Sequence, residues 1–399
     1  MSNSKKVVLA YSGGLDTSYC VAYLKNELNL EVHTVLVETG GFTEEELNEV
    51  EEKALSLGAA SHKTIDEVDD FYQQIIRYLV YGNVLKNHTY PLSVSAERVS
   101  QAIAVAEYAK TLNADYIAHG STGAGNDQIR FDLVFNVMVP DLEILTPIRD
   151  QQLSREEEVE FLKGYGVDLD WEEAQYSVNK GLWGTTVGGA ETLTSHLPLP
   201  NDAWPSQLEK NGSEIVELEF DEGELVGVGG RNMDPVEAIR TLDELGSAYA
   251  IGRDVHVGDT IIGIKGRVGF EAAAPLIIIN AHRQLEKHTL TKWQLYWKDQ
   301  LGEWYGQMLH EGQFLDPVMR NIEAFMEDTQ ETVSGTVKVS LHPYRYEILG
   351  ISSDNDLMQS SFGDYGEMNK AWSGEDVKGF SKILSNQINL HRSVHNDQS

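Results

Sequence analysis

Residues 6–24 read Lys-Val-Val-Leu-Ala-Tyr-Ser-Gly-Gly-Leu-Asp-Thr-Ser-Tyr-Cys-Val-Ala-Tyr-Leu. The apolar run 7–10 has the length of a buried parallel strand, and residues 19–24 have the composition of a helix. Between them lies a glycine-rich turn that opens the helix. Such a turn gathers free backbone N–H groups and the positive end of a helix dipole at one point, which suits a phosphate. Gly13 and Gly14 let the backbone approach an anion closely, and Ser12, Thr17 and Ser18 add hydroxyl donors. Asp16 would repel a phosphate unless a divalent cation or a proton lies between them. A plain βα turn with Asp near a helix start is the simpler reading, since capping alone favours that residue.

The loop lacks the lysine of G-x-x-x-x-G-K-[ST] and does not fit G-x-G-x-x-G. Ser-Gly-Gly-x-Asp-[Ser/Thr]-[Ser/Thr] instead resembles the pyrophosphate loop of the N-type ATP pyrophosphatases, which cleave ATP between its α- and β-phosphates. Working outward, strands are expected at 31–37, 62–65, 116–119 and 142–145. Helices are expected from the capping box Thr43/Glu46 to Leu57, from Asp66 through Phe71, Ile75, Ile76 and Leu79, and over 96–112. This alternation predicts an α/β fold with a Rossmann-like, doubly wound parallel sheet, ligands lying at the carboxyl ends of its strands.

The 399 residues suffice for two or three domains. With 31 Lys and Arg against 63 Asp and Glu, the net charge is −32. That surface disfavours nucleic acid and anionic membranes as partners. The single cysteine, Cys20, excludes an internal disulfide or a CxxC site and reads as a small buried hydrophobe. A polar start and the lack of a long apolar span lead us to expect a cytoplasmic protein.

Beyond Gly166 the texture changes. Residues 171–205 are rich in glycine and proline and read as loop. A hairpin is expected over 215–228, a helix over 235–245 and strands at 260–265, 337–341 and 346–351, giving a second, α+β domain. Trp293, Tyr296, Trp297 and Trp304 share a helical face, which suits a core or subunit interface better than a ligand-stacking surface. An amphipathic C-terminal helix is expected from Asp376, carrying Phe380, Ile383, Leu384, Ile388 and Leu390. The expected domains are 1–166, 167–365 and 366–399.

A second loop narrows the chemistry: His119-Gly-Ser-Thr-Gly-Ala-Gly-Asn-Asp-Gln-Ile-Arg-Phe131. Asn126, Asp127 and Arg130 would share a face at a helix start, where amide, carboxylate and guanidinium complement a zwitterion. With the first loop, this segment resembles the argininosuccinate synthase family along the whole chain, more weakly after Tyr176. The resemblance implies that citrulline, ATP and aspartate give argininosuccinate, AMP and pyrophosphate through a citrullyl-adenylate, with Mg²⁺ as cofactor and a homotetramer as the assembly. It further implies that Ala10, Tyr11, Ser12, Gly13, Gly14, Leu15, Asp16, Thr17 and Ser18 bind ATP, joined by Val37 and Gly120. Thr122, Asn126 and Asp127 would hold aspartate. Tyr90, Ser95, Asn126, Arg130, Ser177, Thr186 and Phe270 would reach citrulline, and Ser12, Asp16, Asp127 and Arg130 would act in catalysis.

The chain departs from the family in several places. Thr-Ser-Ile-Ala-Arg-Pro becomes Val94-Ser95-Ala96-Glu97-Arg98-Val99, and Thr-Ala-Asp-Ile-Gly becomes Leu36-Val37-Glu38-Thr39-Gly40. Tyr-Ser-Met-Asp-Ala-Asn becomes Tyr176-Ser177-Val178-Asn179-Lys180-Gly181. Thr186 replaces a Ser, Gly258 a citrulline-binding Glu, and Phe270 a Tyr. A Glu and an Asp are thus lost and a Lys gained, which removes the counter-ion of the citrulline α-ammonium. Two explanations stand: the amine is acylated, as in N-acetyl- or N-succinyl-citrulline with Lys180 meeting a succinyl carboxylate, or other groups replace the lost contacts. The rival functions are a tRNA-thiolating pyrophosphatase, which would need catalytic cysteines and a basic face, and a non-enzymatic adenine-nucleotide sensor.

Overall fold

The computed structural model describes residues 4–167, 176–359, 365–367 and 371–396; Trp171 lies outside them. It divides into two units, residues 1–354 and 355–399. The first opens with five parallel strands: β1 (Lys6–Ala10), β2 (Glu31–Glu38), β3 (Ser61–Asp66), β4 (Tyr116–His119) and β5 (Glu143–Leu145). Their order is β3-β2-β1-β4-β5, so the winding reverses between β1 and β4. Both glycine-rich loops leave the sheet at that switch point, where an open parallel sheet offers its ligand crevice. Val7 and Leu9 bury one face of β1 and Val8 the other, as a doubly covered strand requires. The Thr43/Glu46 capping box starts helix Glu44–Ser56 as expected.

The remainder of this unit is built on two antiparallel sheets. One runs Arg231–Asn232, Glu224–Val228, Glu214–Asp221, Gly335–His342, Arg345–Ser352. The other runs Arg253–Asp259, Lys265–Glu271, Gly184–Gly188, Ser177–Gly181. Helices Ala273–Thr289, Lys292–His310 and Pro317–Gln330 share with them the largest apolar core. Among the described residues, the second unit contains two α-helices, Gly374–Leu384 and Asn386–Asn396, rather than one continuous C-terminal helix, with Ser385 as the C-cap of the first. Among the described residues, no helix is long and apolar enough to cross a membrane.

Three other expectations need correction. Residues 260–264 form the turn joining strands Arg253–Asp259 and Lys265–Glu271, not a strand. Thr260 closes that turn by donating N–H and hydroxyl to Ile264 O, both at 2.8 Å, while Gly263 takes φ +84°. The glycine-rich stretch after 171 contains the hairpin Ser177–Gly181/Gly184–Gly188. Its glycines serve close approach: a Cβ on Gly184, at φ +107°, would lie 2.8 Å from the Ala272 Cβ. The helix expected from Asp66 begins at Val68 and is interrupted by a π-helical turn, Tyr72–Ile76, before resuming at Arg77–Tyr81. The wider turn accompanies burial of Tyr72, Ile75 and Ile76 together, and Tyr72 and Tyr81 both donate to Glu224 at 3.3 Å.

The large core encloses a polar network. Lys298 and Glu286 are fully buried and form an ion pair at 3.0 Å. Lys298 Nζ also donates to Tyr81 O at 2.8 Å, and Glu286 accepts from Asn83 at 2.6 Å and Gln330 at 3.1 Å. Burial pushes the Glu286 carboxyl up, but Lys298 and His282 beside it outweigh this and hold it below its ordinary range. Lys298→Met strands that carboxylate, at a cost of roughly 3–5 kcal/mol. Thermal melting should drop by several degrees, with partial recovery when Glu286→Gln is added; an unchanged melting curve for Lys298→Met would refute this account.

Candidate active site

The first loop sits as its sequence requires. Gly14 is the N-cap of helix Leu15–Asn26, with no side-chain cap on the first-turn amides. Gly13 adopts φ +77°, and a Cβ there would come within 2.9 Å of Val50. The Ser12 and Thr17 hydroxyls lie 3.3 Å apart, Gly14 N–H donates to Ser12 Oγ, and Tyr11 and Ser18 hydroxyls pair at 3.3 Å. Leu15 is buried below. Asp16 is hydrogen-bonded to Glu158 of helix Arg155–Gly164. Burial raises both carboxyls, and with Asp16 beside it Glu158 reaches about 8. Such a pair shares a proton near neutrality, which is one of the two conditions under which Asp16 is compatible with an anion.

The second loop meets the first through Gly120. A Cβ at that position would stand 3.0 Å from Thr17 Cγ2 and 3.3 Å from Thr17 N. A side chain there would crowd Thr17 and push the loops apart by a few tenths of an ångström. Val37 is buried near the end of β2. Thr122 is exposed. Asn126 precedes helix Asp127–Met138, and its side chain accepts from Ile261 N–H at 2.9 Å rather than capping the helix. The misread turn at 260–264 is therefore tied to this loop.

Asp127 and Arg130 are engaged with protein partners. Asp127 accepts from Arg98 Nε at 3.1 Å and from Arg130 at 2.8 Å. Burial would raise its carboxyl, but the two guanidiniums win and lower it. Arg98 also donates to Asn179 at 3.1 Å. Arg130 donates to Ser95 Oγ at 2.9 Å and to His310 O at 3.0 Å, and Ser95 Oγ lies 3.1 Å from His310 Nδ1. From Asn179 the sheet continues: Asn179 registers with Thr186 and Thr186 with Phe270. The Phe270 ring lies 5.3 Å from Tyr90, and Tyr90 stacks on His256 at 5.2 Å. Tyr90, Ser95, Asp127, Arg130, Thr186 and Phe270 thus belong to one connected cluster. Ser177 is exposed at the strand start, and Lys180 is exposed, its charge acting on Glu46.

Sequence reading assigned no role to Arg98, His256, His310 or Lys86. Arg98 lies one helical turn after Ser95, a spacing that places both on one face. His310 carries no local signal, being brought to Arg130 across 180 positions. Burial, with Arg130 and Lys86, lowers His310 to about 3, so its imidazole is neutral. Glu97 is buried with Oε1 unpartnered, and burial, Glu38 and Asp127 raise it to about 8 despite Arg98. A Cβ on Gly181 would collide with that oxygen. Among the described residues, no group of three or more metal-ligating side chains is assembled.

Comparison with known proteins places two family models on the chain: an argininosuccinate synthase N-terminal HUP domain over residues 6–168 and an argininosuccinate synthase C-terminal domain over 176–391. Relatives named argininosuccinate synthase include that of Methanocaldococcus jannaschii, 37% identical over 96% of this chain and 97% of the relative. Those of Sulfurisphaera tokodaii (33% identical; 98% and 99% covered) and Xanthomonas campestris (34% identical; 98% and 100% covered) match similarly.

Glu97 makes a pH prediction. Unfolded, its carboxyl ionises near its ordinary value of 4.5; folded, it keeps its proton until about 8. The unfolded state therefore releases the proton first, and stability from this group falls as pH rises between those values. Glu97→Gln should melt higher than wild type at pH 8 by roughly 2 °C or more, with the gap shrinking toward pH 5. A gap that widens on acidification would contradict the assignment.

Proposed function

The chain belongs to the argininosuccinate synthase family of carbon–nitrogen ligases, and we propose that it activates a citrulline whose α-nitrogen is acylated and joins it to aspartate. In that family, citrulline and aspartate are condensed with ATP in arginine biosynthesis. The ureido oxygen attacks the α-phosphorus of ATP, the O–P bond forms and pyrophosphate leaves. The aspartate amine then attacks the ureido carbon, and AMP departs with the oxygen. Little acid–base chemistry is needed; positioning and neutralisation of phosphate charge dominate.

In this reading Ala10 to Ser18, Val37 and Gly120 take the nucleotide, with Ser12 to Ser18 around the leaving pyrophosphate. Thr122, Asn126 and Asp127 take aspartate. Tyr90, Ser95, Asn126, Arg130, Ser177, Thr186 and Phe270 surround the citrulline. The carrying observation is the close meeting of Gly120 with Thr17, which brings the first loop against the loop that leads into Asp127 and Arg130. Magnesium arrives with ATP, since it is commonly held by substrate phosphates and one or two carboxylates. Asp16 is the carboxylate at hand. We keep the domain limits at 166 and 365 and a cytoplasmic location as part of this proposal.

Acylation is supported where the family Glu is replaced. A Cβ on Gly258 would stand 2.6 Å from His256 Nε2, so an imidazole occupies the approach to that position. Asn179 is neutral, and Asp127 is already paired with two arginines. A buried α-ammonium without a counter-ion costs several kcal/mol, and Glu97, the remaining acid whose charge reaches Tyr90, holds its proton until about 8. Lys180 is exposed, and its charge acts on Glu46 and on the buried Asp243. Pyrophosphate release should require a citrulline-type substrate, and kcat/KM should favour an acylated citrulline over citrulline by roughly tenfold or more. A preference for plain citrulline sinks the acyl reading, and pyrophosphate release without any citrulline sinks the ligase reading.

Self-association as a homotetramer completes the proposal. Trp293, Tyr296, Trp297 and Trp304 are exposed on one helix, and Phe380, Ile383, Leu384, Ile388 and Leu390 are exposed in the second unit. Apolar surface of this kind commonly marks an interface. Light scattering should give four chain masses, reduced by Phe380→Asp with Ile383→Asp; a wild-type monomer would exclude the assembly.

A further inference from the structure

A cleft of about 80 Å³ opens between the helix interrupted at Tyr72–Ile76 and helix Ser93–Leu112. Neither glycine-rich loop lines it. The carboxylates of Glu67, Asp70 and Glu107 do, and among the described residues no Lys, Arg or His joins them there. None of the three acids belongs to an ion pair among the described residues. The arginines of these helices are engaged elsewhere, Arg77 with Glu327 at 2.8 Å and Arg98 with Asp127 at 3.1 Å, and Lys110, one turn after Glu107, does not pair with it. Glu67 is the N-cap of helix Val68–Phe71, yet its side chain makes no capping bond. Its backbone N–H donates to Glu38 O at 2.9 Å, which anchors it at the end of β2. Burial, with Asp70, Glu107 and Asp66 adding like charge, raises its carboxyl to about 7. On the opposite wall Ser100 is 6% exposed, and its hydroxyl has no hydrogen-bond partner although it lines the cleft. Ile75 and Ile103 add apolar surface, and the π-helical turn that carries Ile75 also brings Gln74 to the rim. Turns of this kind recur at functional sites.

We propose that this cleft binds the guanidinium group of a small organic cation. Its volume is several times what one water needs. A divalent metal ion suits it less, because no group of three or more metal-ligating side chains is assembled among the described residues. Carboxylates spread along two helices call for a ligand that spreads its donors too. A guanidinium carries five N–H donors in a rigid plane and can serve several acceptors at once, the Ser100 hydroxyl among them. Its weakly hydrated faces tolerate contact with Ile75 and Ile103, where an ammonium would keep its water. The bound charge also offsets the repulsion among the three acids. Helix Ser93–Leu112 carries Ser95 and Arg98 in its first two turns, so an occupant rests on the element that holds the substrate cluster. The proposal does not depend on what the citrulline α-nitrogen carries.

The test titrates the full chain with methylguanidinium chloride at fixed ionic strength, followed by ligand-observed NMR, with tetramethylammonium chloride and MgCl₂ as comparison salts. Wild type should bind methylguanidinium saturably, one per chain, and roughly tenfold or more tightly than tetramethylammonium. Glu67→Gln with Glu107→Gln should weaken it by roughly tenfold or more, and Ser100→Val by several-fold. Glu44→Gln with Glu45→Gln removes the same charge from helix Glu44–Ser56 and should leave binding unchanged. The Glu67/Glu107 variant should melt no lower than wild type, because it removes mutual repulsion, and this separates lost binding from lost fold. Unsaturable binding, an equal response to tetramethylammonium, or equal loss in both glutamine pairs overturns the site. Displacement of methylguanidinium by a lower concentration of Mg²⁺ overturns the guanidinium assignment. No turnover enters these measurements, so failure here leaves the ligase reading standing.

Discussion

The carboxylate of Asp127, held between the guanidiniums of Arg98 and Arg130, is the constraint on which the rest of the site depends. Each guanidinium reaches onward to a different part of the chain. Arg98 carries the link to the 177–188 hairpin through Asn179, and Arg130 carries it to Ser95 and the end of the 292–310 helix. A buried anion flanked by two cations is stable only when all three remain. The parallel-sheet elements and the antiparallel sheet that carries the 177–188 hairpin are therefore tied together at this cluster. The same arrangement leaves a local net positive charge in a chain whose total is −32.

Local patterns were legible wherever one short stretch specified both its backbone and its chemistry. The strand–turn–helix of residues 6–26 and strand Tyr116–His119 are of this kind, because turn glycines and apolar runs act over a few residues. Two errors had one cause: glycine and isoleucine were read for propensity, when tertiary contacts decided their state. Ile262 and Ile264 are exposed at a hairpin tip, and the glycines near 181 lie in strands because neighbours crowd them.

The unread part of the site lies in long-range juxtaposition. Nothing near His310 in sequence announces Arg130, and nothing near Tyr90 announces His256. The resemblance supplied Tyr90, Ser95 and Phe270 and flagged Gly258 as a loss, but not what fills the space. The answer is an imidazole two residues upstream on the same strand, which alternation puts on the same face.

The contact between Glu97 and Gly181 also has a historical meaning. The family segments that the chain resembles carry Ala and Asn at these positions; here they are Glu and Gly, with the bulk on the other side of the contact. Because a side chain at 181 would overlap the Glu97 carboxylate, the order of change is restricted. A lineage that lost the side chain at 181 first could accept a carboxylate at 97 afterwards, whereas the reverse path crosses a clash. Glu97 is therefore not portable into a relative that keeps a side chain at 181, whereas Gly181 is tolerated without it.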